Sequence, residues 1–187
     1  MTPPLRQRIV AAAVEITLAH GWARVTMARL AAEVGVSRQT VYNEIGTKPA
    51  LAEAMILGEL DRFLAVVNDA FDQHSTDLVS AIEAAARGVL VLAQGNELLK
   101  AVVSATHGAD TELLPLLTTH SESLLAAAKL VVAERVAPYD VGLDGPQLDA
   151  AIDMVVRVVL SHVMQPTDSP EATAADLAWI AAQVLGA

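Results

Sequence analysis

Residues 26–48, TMARLAAEVGVSRQTVYNEIGTK, constrain the fold of this chain more than any other stretch. They predict two short helices joined by a tight turn, with a longer helix starting at once. Thr26 is placed to cap the first helix by accepting from an orphan backbone N–H. Val25 precedes that cap, and Leu30 stands where a hydrophobic staple would close on it. Ala31 lets a second helix pass nearby. Gly35 marks the turn, where a left-handed backbone is cheap only without a Cβ. Val36 and Val41 are the apolar anchors of the second helix. Its exposed side would carry Arg38, Gln39, Tyr42 and Asn43, with Thr40 at the margin. Apart from Arg38 these are uncharged hydrogen-bonding groups. Such a surface suits base edges and phosphates, and it predicts a helix-turn-helix that binds double-stranded DNA.

The chemistry divides along that helix. Gln39 and Asn43 are one turn apart, as are Arg38 and Tyr42, so each pair shares a face. An Asn or Gln amide can bond adenine N6 and N7 together. Arg38 can grip guanine or a phosphate, and the Thr40 methyl can touch thymine. Tyr42 and Lys48 suit phosphates, which fix register rather than sequence. Thr26 and Ser37 combine helix capping with hydroxyls or helix-start N–H groups offered to the DNA backbone.

These residues resemble the tetracycline-repressor (TetR) family of transcriptional regulators over roughly the first fifty positions. Gly21 and Trp22 match the Gly–aromatic pair that ends the family's first helix. Val36, Ser37, Thr40 and Tyr42 match its V-S-x-x-T-x-Y pattern, and Lys48 matches the Lys that heads its fourth helix. Ile45 stands where relatives usually have Phe, Pro49 where they have Glu, and Asn43 where His is frequent. The resemblance implies a homodimer that reads a palindromic operator and responds to a small-molecule effector. It also implies that the last two helices pair with their two-fold mates.

Net charge alone points the other way. The 187-residue chain carries −10. Residues 1–50, however, hold six Lys/Arg and three Asp/Glu, a net +3, whereas residues 51–187 hold six and nineteen, a net −13. A basic head orients itself towards phosphate, and salt screens the acidic body beyond about 8–10 Å. The expected division is a helix-turn-helix DNA-binding domain at 1–47 and a ligand-binding and dimerisation domain at 48–187.

The whole chain is expected to be all-α, with about nine helices. Leu5, Ile9, Ala12, Ala13 and Ile16 recur at helical spacing, and Gly21 ends that helix. A long helix from Lys48 to about Asp72 carries the apolar stripe Leu51, Met55, Leu60, Leu64, Val67 and Phe71. Further helices are expected at about 77–94, 97–107, from near Leu114 to Pro138, at 146–164, and from Ser169 as cap with Pro170 at the first helical position. His107 to Asp110 reads as a turn. The chain is 53% hydrophobic but only 3% aromatic, so its core is aliphatic. No alternation of period two, repeat or low-complexity tract occurs.

Cysteine is absent, which excludes disulfides and thiolate metal sites. His74 and His107 fall at helix breaks beside Asp, Ser and Thr and lack the i, i+4 pairing of a helical zinc site. No metal, cofactor or catalytic residue is expected, and no G-x-S-x-G or glycine-rich phosphate loop supports an enzyme. No signal peptide and no charge-free run near the roughly 18 residues of a membrane span is visible, so a cytoplasmic location without a membrane partner is expected.

Two surfaces beyond the head are expected. Candidates to line an effector cavity are Phe71, Ile82, Ala86, Val103, His107, Leu117, His120 and Leu124, with core packing as the competing role for each. Only Phe63, Phe71, Tyr139 and Trp179 are aromatic beyond residue 50, so an aliphatic or lipid-like effector fits better than a cationic drug. The apolar faces Leu148, Ile152, Val155, Val156, Val159 and Val163, then Ala174, Leu177, Ala178 and Ala181, predict a dimer interface. The rival function is a helical ligand-carrier or protein-interaction module with a vestigial helix-turn-helix.

Overall fold

A computed structural model of the chain describes residues 3–100 and 121–185. Among these residues the fold is all-α, with eight α-helices, a further helical segment at 97–100, one 3-10 turn and no strand. The described residues form two compact units, 3–60 with 97–100, and 61–96 with 121–185.

The first unit contains α1 (Leu5–His20), the 3-10 turn Trp22–Arg24, α2 (Met27–Val34), α3 (Arg38–Ile45) and the opening of α4 (Lys48–Gln73). Local chemistry sets most of these boundaries. Thr26 Oγ1 accepts from the Arg29 N–H at 3.2 Å and starts α2. Gly35 ends it at φ 73°, in the left-handed region. Ser37 Oγ accepts from the Thr40 N–H at 3.1 Å and starts α3, and Thr47 Oγ1 accepts from the Ala50 N–H at 3.3 Å at the head of α4. Pro49 falls in that first turn, where a missing N–H is tolerated. Ile9, Ala13, Leu30, Val41 and Leu51 are fully buried at the centre of the unit, with Trp22 packed beside them. Burying each large aliphatic side chain contributes roughly 1.5–3 kcal/mol.

The second unit contains the rest of α4, α5 (Leu78–Gly95), α6 (Ser121–Val136), α7 (Gly145–Met164) and α8 (Pro170–Leu185). Asp77 caps α5 through the Ser80 N–H at 3.0 Å. Asp144 and Gln147 form a reciprocal capping box at the start of α7, and Ser169 Oγ accepts from the Ala172 N–H at 3.2 Å to start α8. Helices α5 and α8 pair extensively. Small residues permit it: Ala86 packs with Ala174 and Leu177. Gly88 permits a second close approach, because a Cβ there would lie 2.5 Å from Val66 Cγ1 of α4.

α5 is long and apolar enough to cross a membrane, with a mean hydropathy of 1.4. It nevertheless buries Ala81, Ala85, Ala86, Val89, Leu90 and Ala93 inside the protein, as a core helix does.

The C-terminal turn of α4 is held from outside. The Arg135 guanidinium donates to the Asn68 carbonyl at 2.9 Å and pairs with the Asp72 carboxylate. The Tyr139 hydroxyl donates to the His74 carbonyl at 2.9 Å, and its ring meets Phe71 edge-on with centroids 6.1 Å apart. Burial pushes the Tyr139 hydroxyl above its usual range.

Two sequence expectations need adjustment. Leu60 and Leu64, placed in a buried α4 stripe, are only half-buried, while Leu51, Met55, Val67 and Phe71 are buried as expected. Most of the helix expected at 97–107, the turn from His107 to Asp110 and the helix start near Leu114 lie outside the described residues. Of these, residues 97–100 are helical.

Candidate nucleic-acid interface

Helix α3 is built by anchoring one face and leaving the other open. Val41 and Ile45 are buried, 0% and 5% exposed, and fix α3 to the first unit's core. Arg38, Gln39, Tyr42 and Asn43 are exposed, and Thr40 is half-buried. Val41 and Ile45 are four residues apart and share one face of α3, and Gln39 and Asn43 fall on the opposite one.

The polar face is ordered by its own hydrogen bonds. Gln39 Nε2 donates to Asn43 Oδ1 at 2.9 Å. Ser37 Oγ and Thr40 Oγ1 share a hydrogen bond of 2.8 Å. Thr26 and Ser37 remain exposed while capping, so both can serve the helix and a phosphate together. Lys48 is half-buried at the head of α4, with its Nζ 4.8 Å from the centroid of the Trp22 ring. A cation at a helix N-terminus opposes the helix dipole, and the π face offsets that.

Three contributors escaped the sequence reading. Arg8 donates to the Val34 carbonyl at 2.8 Å, and Arg6 donates to the Glu44 carbonyl at 2.6 Å. Both guanidiniums from α1 therefore close the C-terminal ends of α2 and α3, where carbonyls lack helical partners. Trp22 entered only as part of a motif, yet it is the ring beneath Lys48. The net +3 of residues 1–50 carried no information about these long-range partners.

The other candidate residues are dispersed. Phe71 and Ile82 belong to one apolar cluster with α5, α6 and α7 residues. Ala86 packs instead against α8, and Leu124 is half-buried on α6. Val103, His107, Leu117 and His120 lie outside the described residues. Among the proposed interface residues, Ile152, Val156, Ala174, Leu177, Ala178 and Ala181 are buried within the chain itself. Leu148, Val155, Val159 and Val163 are half-buried. The apolar side chains that α7 and α8 leave exposed are Met154, Leu160, Met164, Trp179, Ile180 and Val184. Among the described residues no group of three or more His, Asp or Glu side chains is arranged to hold a metal.

A profile described as "Bacterial regulatory proteins, tetR family" matches residues 9–55, and one described as "Bacterial Tetracyclin repressor, C-terminal domain" matches residues 77–183. The chain belongs to the tetracycline-repressor family. This family member is a DNA-binding transcriptional regulator with a C-terminal ligand-binding domain. It is 27% identical over 174 residues to the HTH-type transcriptional regulator AlkX of Mycobacterium tuberculosis, covering 93% of this chain and 82% of that one. The regulator also superposes on the TetR family repressor AlkX from Dietzia sp., implicated in biodegradation of n-alkanes. That match has a TM-score of 0.74 and 25% identity, covering 97% and 95% of the two chains. FadR from Bacillus subtilis in complex with stearoyl-CoA shares the fold at a TM-score of 0.60 and 16% identity, covering 96% and 97%.

Proposed function

We propose that this regulator is a homodimeric repressor that grips a palindromic operator and is released by an aliphatic or acyl effector. The observation that carries the proposal is α3: a helix pinned by Val41 and Ile45 with four side chains suited to DNA standing exposed on its far side. In this reading Arg38, Gln39, Thr40 and Asn43 face base edges. Thr26, Ser37, Tyr42 and Lys48 hold phosphates. The DNA-binding part is 1–47, and 48–187 binds effector and partner.

Dimerisation covers the apolar side chains that α7 and α8 leave in water. Trp179 is 66% exposed and Met154 62%, values that a second copy would bring down. Paired heads would read half-sites one helical turn apart. The protein would act on chromosomal DNA in the cytoplasm.

The effector class follows from aliphatic lining and from relatives. The Dietzia relative is implicated in n-alkane degradation, and the Bacillus subtilis FadR was solved with stearoyl-CoA. In this chain Phe71, Ile82 and Leu124 would contribute to the cavity, with Val103, Leu117 and the two histidines. An effector favouring the state that cannot bind DNA lowers operator affinity by linkage.

The test is selection of genomic fragments by the purified protein, followed by titration of the bound fragment with alkanes and long-chain acyl-CoA. Recovery of a two-fold symmetric site, released by one of these compounds, is expected. Recovery of no preferred fragment overturns the proposal. A symmetric site that neither compound class releases overturns the effector assignment.

A further inference from the structure

The hydrogen bond between Gln39 and Asn43 makes them more than two separate readers. We propose that they read a single adenine per half-site as one coupled unit, in which Gln39 is a positioning residue for the Asn43 amide. The proposal rests on α3 being the recognition helix.

An exposed Asn amide has two orientations that differ by exchange of its oxygen and nitrogen. In one, a donor occupies the place that an acceptor occupies in the other. Here Gln39 Nε2 donates to Asn43 Oδ1 at 2.9 Å, which holds the Asn43 oxygen towards Gln39 and its Nδ2 away. Both partners belong to α3 and sit one turn apart, so the hydrogen bond that favours this orientation needs no contact from outside the helix.

The remaining valences match one base edge. Asn43 Nδ2 keeps two hydrogens to donate, and Oδ1 keeps its second lone pair. In the major groove adenine offers an acceptor at N7 beside a donor at N6. Asn43 can donate to the first and accept from the second while still accepting from Gln39. Guanine offers two acceptors there, so Oδ1 would face O6 and be repelled. Thymine offers one acceptor and a methyl, and cytosine one donor. The chain from Gln39 Nε2 into Asn43 Oδ1 and out through Asn43 Nδ2 to N7 polarises in one direction, which strengthens those two links, while N6 uses the remaining lone pair of Oδ1.

Nearby hydroxyls do not compete for the pair. Ser37 Oγ is engaged by the Thr40 N–H and by Thr40 Oγ1. Gln39 and Asn43, four residues apart, therefore form one readout feature, whereas independent readers would contact separate positions.

The test uses the intact protein with an operator selected from random DNA. Binding is measured for the unmodified chain, Gln39→Ala, Asn43→Ala and the double variant, against every base pair at each half-site position. Asn43→Ala should weaken operator binding about 10- to 100-fold and abolish preference at one position occupied by adenine. Gln39→Ala should relax preference at that same position, and the double variant should lose no more than Asn43→Ala alone. Replacing that adenine by 7-deazaadenine should weaken the unmodified protein but leave Asn43→Ala unaffected. The proposal is overturned if the two single variants relax different positions and their losses multiply. It is equally overturned if the shared position is not adenine. Failure of the unmodified protein to prefer any sequence would instead reject α3 as the recognition helix, and this inference with it. Both side chains are exposed, so unchanged thermal midpoints confirm that the variants remain folded.

Discussion

Lys48 and Trp22 give the sharpest energetic prediction. The ammonium lies 4.8 Å from the indole centroid, inside the range for attraction to a π face. The ring is 3% exposed and fixed in the core, so it cannot follow a wandering lysine. Lys48 is half-buried, between the surface and desolvated limits of about 0.5 and about 2 kcal/mol. Because the contact is made with and without DNA, it reaches the affinity only by holding Lys48 ordered in advance, which sets an upper limit of about 1 kcal/mol, or roughly fivefold, per head. With two heads on one operator, Trp22→Leu should weaken binding measurably but by no more than roughly 25-fold. It should leave the salt dependence almost intact, because the Lys48 charge remains. Lys48→Ala removes that charge and should flatten the slope of log affinity against log salt by about 0.9 per head. Trp22→Phe keeps a π face and should fall between Trp22→Leu and the unmodified chain. Fluorescence anisotropy on labelled operator between about 50 and 200 mM salt measures all three. Each variant must be assayed well below its own thermal midpoint, because Trp22 also fills the core. Should Trp22→Leu bind as tightly as the unmodified chain, or Lys48→Ala leave the salt slope unchanged, the assigned role of this pair is wrong.

Two further outcomes are expected. Trp179→Glu should give a folded monomer in sedimentation, because Trp179 is 66% exposed within one chain, whereas Val156→Glu should unfold the domain by burying a charge at a site 8% exposed; a dimer from Trp179→Glu would refute the assigned face. Hydrogen bonds first from Lys129, at 2.8 Å, and then from Arg157, at 2.7 Å, hold the Asp153 carboxyl below its ordinary 3.8. Folding therefore favours the ionised form, so this stabilisation is complete well above pH 3.8 and is lost as pH falls through the folded-state value. Asp153→Asn should lower the thermal midpoint near neutrality and make it less sensitive to pH in that acid range.

The head was legible because its determinants are local. Thr26, Gly35 and Ser37 each act within a few residues, through caps and one positive φ, and the structure places all three as the sequence suggested. The contacts of Arg6 and Arg8 were not legible, since they span 38 and 26 residues. Helical periodicity identified apolar stripes on α7 and α8 but not what covers them. Ala174 and Leu177 meet Ala86 of α5, and that pairing consumes the small-residue face singled out for a partner chain. What remains exposed is Trp179, Ile180 and Val184, on the side of α8 that carried no small-residue signal. The edge-on contact of the Phe71 ring with Tyr139 spans 68 positions, and no local pattern encodes it.

The central claim is that α3 reads DNA sequence while Lys48 reads charge. One titration series tests it most directly: the unmodified protein, Asn43→Ala and Lys48→Ala, each bound to the selected operator and to scrambled DNA of equal length at several salt concentrations. Asn43→Ala is expected to weaken operator binding by about 1–3 kcal/mol, with scrambled DNA nearly unchanged. Lys48→Ala is expected to weaken both DNAs alike and to reduce the salt slope. The account is contradicted if Lys48→Ala changes base preference while Asn43→Ala leaves it intact.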